Sequence, residues 1–275
     1  SIRGALYRLQ SNSTNTSVSA ANTLTAWNSD GFALGTETDT NNNTATYVAW
    51  NWKAGTAVSG NTSGSGTYKT YTGSVNTTSG FSIIKYTGNG SAGHTIPHHL
   101  GTANIGSIFV KNLDSGSDYW YSYHKPLGAT KTLILNETDA VGTNTMWNNT
   151  APTSSVFSVG SNSGSNTNNQ NYISYIFSDV QGYCKTGKYL GNGNADGNFI
   201  YTGFKPAFFL AKRITNGTEA WVMFDNKREN SFNGVTGILK PNLNEAETTQ
   251  GAGPSMDFLS NGIKFRNTDG TFNNS

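Results

Sequence analysis

Four histidines fall within one stretch of the chain, His94, His98, His99 and His124, and imidazoles so placed are what a metal or proton-transfer site would use. A later stretch that repeats this one has no histidine at the matching positions, and Pro97-His98-His99 sits at a strand start. Packed or solvated rings are the expectation. Asn192, Asn194 and Asp196 set oxygens at alternating positions with Gly197 following, like the first half of a calcium loop. The twelfth position, where such a loop needs a bidentate acid, is Gly203, and the related middle stretch reads Ser91-Ala92-Gly93. Turn formation is therefore expected in place of metal binding. Asp114 and Asp118 flank a glycine turn and read as solvated. No Ser-His-Asp order, GxSxG elbow or phosphate-binding loop stands out, so neither catalysis nor a cofactor is expected. The catalytic alternative is a polysaccharide depolymerase, which requires two acids about 5 to 10 Å apart across a groove.

Aromatic residues supply the other chemistry. Trp27-Asn28 and Trp147-Asn148 lie in polar loops ahead of the strands that hold Phe32 and Phe157. An exposed indole stacks on a sugar ring while the amide binds its hydroxyls, so these four residues are the candidate ligand contacts. The competing reading makes each tryptophan a plug at the end of a sandwich. Trp50, Trp52, Trp120 and Trp221 read as core. Cys184 is alone, which excludes an intrachain disulfide and reads as a small buried hydrophobe in a strand.

The elements that must position these groups repeat along the chain, and self-similarity of this kind governs the fold. Tyr86-Thr-Gly-Asn-Gly pairs with Tyr189-Leu-Gly-Asn-Gly, Trp120 with Trp221, and Leu133 to Ala140 with Leu239 to Ala246, at offsets of 103, 101 and 106. Phe32 with Phe157 and Trp50 with Tyr175 share an offset of 125. Residues 1–54 then correspond to the closing half of a first repeat, 55–80 to a Gly/Ser/Thr-rich linker, 81–180 to a complete unit, and 181–275 to a second unit lacking its last strand. The chain reads as a fragment of a longer protein, with strand exchange between chains as the alternative. Strands are expected at residues 5–10, 45–52, 81–86, 107–112, 119–124, 131–136, 156–160 and 172–178. The last copy adds 200–203, 207–213, 220–225, 237–240, 256–259 and 263–266. In 45–52 the expected core face is Val48, Trp50 and Trp52, matched by Ile173, Tyr175 and Phe177; one helical turn is expected near Leu243 to Thr248. Short strands at regular spacing argue an all-β fold of tandem β-sandwiches.

Charged residues are 12% of the chain and the net charge is +2, with lysines and arginines scattered singly, so no nucleic-acid stripe is present. No apolar run approaches the roughly 18 residues of a membrane span, and membrane insertion is not expected.

The segments IKYTGNG…GHTIPHHLG, IFVKNLDSGSDYW, LGATKTLILNETDA, MWNNTAPTSSVFSVG and NYISYIF together resemble the repeated domain of large virion-associated proteins of marine bacteriophages, known as tail-fibre or structural proteins. That resemblance implies lectin-like or jelly-roll-like sandwich modules and a virion component assembled in the host cytoplasm. It implies a homo-oligomer, a trimer foremost, or contacts with other virion proteins, and a host-surface glycan as the external partner. A structural spacer or capsid decoration is the alternative role.

Overall fold

The computed structural model describes residues 2–215, 217–229, 233–249 and 253–274. It is all-β. The middle of the chain forms an eight-stranded antiparallel sheet in the order Gly142–Thr143, Lys131–Ile134, Tyr121–His124, Ile105–Asn112, Asn171–Ser178, Phe81–Thr87, Thr70–Asn76 and Thr56–Asn61. A second sheet of Val156–Val159, His94–Pro97 and Ser63–Gly64 lies over it. Ile84, Tyr86, Ile108, Val110, Tyr172 and Ile176 of the large sheet meet Ile96, Phe157 and Val159 of the small one in a single core. Tyr86 and Tyr172 stack with centroids 5.2 Å apart. Alternating burial along each strand is what lets one face of the sheet be apolar.

Residues 55–80 are not a linker. Thr56–Asn61 and Thr70–Asn76 pair in register from Thr56 with Val75 to Asn61 with Thr70, and Tyr71 and Val75 are buried in the core. Thr56, Thr70 and Thr72 face outward while Tyr71, Gly73 and Val75 face inward, so a strand with only a few apolar residues still presents a core face. The strand His94–Pro97 was also not anticipated, and Pro97 closes it. Its φ constraint and missing donor are tolerated at a strand end.

The core face of Asn171–Ser178 is Tyr172, Ser174, Ile176 and Ser178, which reverses the expected assignment. Tyr175 and Phe177 point to the other face, where they meet Trp120, Phe81 and Phe109. An aromatic layer on the back of the sheet misleads period-two reasoning, because both faces are apolar.

Residues 45–52 are not a strand. In the middle unit the matching strand is held between Phe81–Thr87 and Ile105–Asn112, and residues 2–54 contain no counterpart of either neighbour. Tyr47 and Trp52 are accordingly exposed. The chemistry of the turn before it is nevertheless kept. Asn42 N–H donates to the Tyr47 hydroxyl, which donates to Thr38 O; in the middle unit Thr167 N–H donates to the Tyr172 hydroxyl, which donates to Ser163 O.

The last stretch builds a second core from Val222, Phe224, Val235, Ile238, Met256, Phe258, Ile263 and Phe265. Each strand expected there is present, with Met256–Leu259 pairing with Gly262–Phe265 and Phe208–Ala211 with Val222–Asp225, and Asn233–Val235, which was not expected, pairs with Met256–Leu259. Residues 243–248 are not helical; Thr248–Thr249 pairs with Gly237–Ile238. Among the described residues no helix is long and apolar enough to cross a membrane.

Candidate functional site

The Gly-Asn-Gly motif shared by the two units is a clamp around a buried asparagine. Asn166 is completely buried. Its Oδ1 accepts from Asn89 N–H and lies 2.9 Å from His94 Nδ1, and its Nδ2 donates to Ser91 O and Gly160 O. Gly90 N–H donates to Asn166 O. In the last unit Asn273, also fully buried, takes Asn192 N–H on Oδ1 and donates to Asn194 O and Asn267 O, while Gly193 N–H donates to its carbonyl. The glycines follow from geometry. A Cβ at Gly88 would lie 2.4 Å from Thr167 O and one at Gly191 2.0 Å from Asn274 O, while Gly90 and Gly193 have φ of 76° and 62°. The first-unit counterpart, Asn41, keeps its bond to Gly35 O but is exposed, having no such loop to clamp it.

The same geometry accounts for Asn192, Asn194 and Asp196. Asn192 Oδ1 accepts from Asn194 N–H, Asn194 Oδ1 from Asp196 N–H, and Asp196 Oδ1 lies 2.6 Å from Lys264 Nζ. Their oxygens are spent on turns and an ion pair. Two histidines are likewise tied into the fold: His98 Nδ1 accepts from Leu100 N–H with Nε2 3.2 Å from Thr153 O, and His99 Nε2 is 2.8 Å from the Tyr71 hydroxyl. Burial lowers the pKa of His94, His98, His99 and His124 below the ordinary imidazole value. Among the described residues no group of three or more His, Cys, Asp or Glu side chains is placed to hold a metal. Asp118, expected to be solvated, is buried and accepts from Asn112 Nδ2 and Ser163 Oγ. Asp114 accepts from Asn171 N–H.

The paired tryptophan candidates part company. Trp147 is 1% exposed and edge-on to Tyr123, so it offers no face to a ligand. It plugs the core. Asn148 adopts φ +50° in the turn that follows. Trp27 is 53% exposed, at the end of the strand Leu24–Trp27, where it pairs with Phe32 in a T-shaped contact of 6.2 Å, and Asn28 is exposed beside it.

A feature missed in the sequence is a joint used twice between units. Trp120 Nε1 donates to Gln10 O and Trp221 Nε1 to Ile134 O, each at 2.9 Å. Ser17 N–H donates to Leu113 O and Val141 N–H to Ile214 O, each at 3.2 Å. The donor tryptophans and acceptor carbonyls Leu113 and Ile214 are offset by 101, and their partners in the preceding unit by 124. Each tryptophan is fixed by its own N–H, donating to Asn136 Oδ1 and Asn242 Oδ1 respectively. Lys111 Nζ adds a bond to Thr14 O of the first unit. The matched offsets carried the signal, but only the geometry shows that the tryptophans reach out of their own unit.

These features define an all-β chain with two hydrophobic cores, each clamped by a buried asparagine, with tryptophan side chains bonding to the stretch that precedes each. Residues 1–275 match in full a domain family described only as a domain of unknown function, DUF7483, and the chain belongs to that family. No curated protein and no solved structure matches it.

Proposed function

We propose that this chain is a non-catalytic structural module of a phage particle, a segment of a tail fibre or surface appendage. The observation that carries the reading is the twice-used joint. Heterologous, head-to-tail contacts of one geometry are how a chain builds a rigid body from a single kind of unit. The buried ionisable groups support the non-catalytic half, since Lys111, Asp118 and Asp225 each spend their hydrogen bonds on neighbouring backbone or side chains. Immunogold labelling of purified particles with antibody to this chain is expected to decorate fibres or the outer surface. Particles free of the protein would overturn the reading.

A second role, adhesion to a host-surface glycan, is favoured by the exposure of Trp27 and Asn28 alone, with Trp147 and Asn148 withdrawn from it. Weak contacts repeated across copies give avidity. Glycan-array binding by the full chain that Trp27→Ala abolishes is the expected result, and unchanged binding in that variant removes the site.

A further inference from the structure

A cleft of about 240 Å³ lies where the middle unit passes into the last. One side of it is a tight hairpin that follows the strand Asn171–Ser178. Val180 and Cys184 exchange both backbone hydrogen bonds at 3.0 Å, with Gly182 at φ +85° between them, and these two residues give the cleft its apolar surface. Thr202, just past the strand Phe199–Tyr201, brings in the last unit. Gln181 ties the two units together, its Nε2 donating to Gly203 O at 2.8 Å, which leaves Oε1 as an acceptor. Two exposed rings stand at the cleft: Tyr183, between Gln181 and Cys184, is 61% exposed, and Tyr201, next to Thr202, is 66% exposed. A Cβ built on Gly203 would lie 2.9 Å from Gln181 Nε2 and 3.4 Å from the Tyr201 hydroxyl, so amide and tyrosine converge on one point.

The charges decide what such a cleft takes. Asp179 and Lys185 both line it. Thr186 N–H donates to Asp179 Oδ1 at 2.6 Å, while Oδ2 stands 3.7 Å from Lys185 Nζ. That gap is too long for a direct hydrogen bond, and one oxygen spans it by donating to the carboxylate and accepting from the ammonium. A hydroxyl group does both. An anion is repelled by Asp179 and a cation by Lys185, which leaves a neutral, hydroxylated ligand. A tyrosine ring, apolar on its face with a polar tip, suits a partner that is polar at its edge and apolar on its face. We propose that this cleft binds one neutral sugar ring, with one hydroxyl bridging Asp179 and Lys185, a second donating to Gln181 Oε1, and Tyr201 covering the apolar face. At about 240 Å³ the space is below the roughly 300 Å³ where clefts for drug-sized ligands begin, so a single ring is what fits. The cleft is separate from Trp27 and shares with the adhesion role only the class of ligand.

Amide NMR spectra of the full chain, titrated in turn with glucose, galactose, mannose and N-acetylglucosamine, test this. At least one of these sugars is expected to give saturable shifts at 179–185 and 201–203, with a dissociation constant of about 1 to 10 mM, the weak range of a ligand this small. Tyr201→Ala, at an exposed position whose loss leaves both cores intact, should weaken that binding about tenfold, and Lys185→Met should weaken it as much. Trp27→Ala should leave it unchanged. Shifts confined to the surroundings of Trp27 would keep the adhesion role and overturn the cleft, and so would the lack of saturable shifts at 179–185 with every one of these sugars. Shifts of the same amides by inorganic phosphate or calcium chloride at lower concentrations than any sugar would overturn the neutral-ligand assignment. Equal affinity in Tyr201→Ala and Lys185→Met would show that the sugar sits elsewhere.

Discussion

Asn166 makes four side-chain hydrogen bonds at a position with no access to water, and such a group is costly to remove because its partners are left buried and unpaired. Asn166→Ala is expected to lower stability by about 3 kcal/mol in urea titration, toward the upper end of single-substitution effects. A loss under about 1 kcal/mol would show that the loop closes without its clamp. His94 shares that network, and the amide oxygen opposite its Nδ1 sets the Nδ1–H tautomer, leaving Nε2 buried without a partner. Protonation would place an N–H there. With folded-state pKa values lowered for all four histidines, the unfolded chain takes up protons first as pH falls below about 6.5. Stability present at pH 7.5 should therefore be lost progressively toward pH 5. A melting temperature unchanged across that interval contradicts the assignment. Trp147 carries a different lesson, since its indole N–H is also buried and unpartnered. Trp147→Phe should be nearly neutral, whereas Trp147→Ala should cost about 3 to 5 kcal/mol as for other large core truncations.

Strands and joints respond to different substitutions. Trp221→Phe keeps the ring and deletes the donor to Ile134 O, a neutral hydrogen bond worth about 1 kcal/mol. The expected consequence is faster exchange of the Val141 amide, which the same joint protects, with the core strand Asn171–Ser178 unaffected; equal effects on both would mean the joint is not a separate element. Much of this level was legible in advance. Tyr172 to Ser178, Met256 to Leu259 and the alignment of Trp120 with Trp221 are apolar or aromatic runs bounded by turns, and period-two spacing finds them. The strands at Thr56–Asn61 and Thr70–Asn76 were hidden because glycine and threonine carry no apolar signal, although Tyr71, Gly73 and Val75 alternate inward. The reversed face of Asn171–Ser178 has a physical cause as well: Tyr175 and Phe177 are aromatic because the back of the sheet carries an aromatic layer against Trp120, Phe81 and Phe109, and a core and a covered back look alike in sequence. Trp27 and Trp147 were paired by composition, yet their surroundings differ. The middle unit has a second layer to enclose Phe157 and Val159, while the counterparts Phe32 and Leu34 in the first unit stand exposed.

Across the whole molecule the joints leave an electrostatic signature that the cores do not. Lys111 is fully buried and its ammonium donates to Thr14 O of the preceding unit and to Asp118 O; burial pulls its pKa down to about 8 despite the opposing pull of Asp118. Its counterpart Lys212 is likewise drawn down to about 8 by burial, against Glu219 and the preceding unit's Asp139. Below pH 8 both carry a charge that the fold disfavours. Between about pH 8 and 9, below the range in which the unfolded chain's tyrosines ionise, the two lysines make the unfolded chain bind more protons than the folded one, so stability rises with pH in that window. Cys184, whose thiol burial pushes up to about 11, acts in the opposite sense once an unfolded thiol ionises above about pH 8.5, and two lysines outweigh one cysteine. The melting temperature is therefore expected to climb from pH 7.5 to pH 9. In Lys111→Met with Lys212→Met that climb should vanish, because the titrating groups that tie one unit to the next are gone. A slope that survives in the double variant would place its origin inside the sandwiches and leave the joints electrostatically silent.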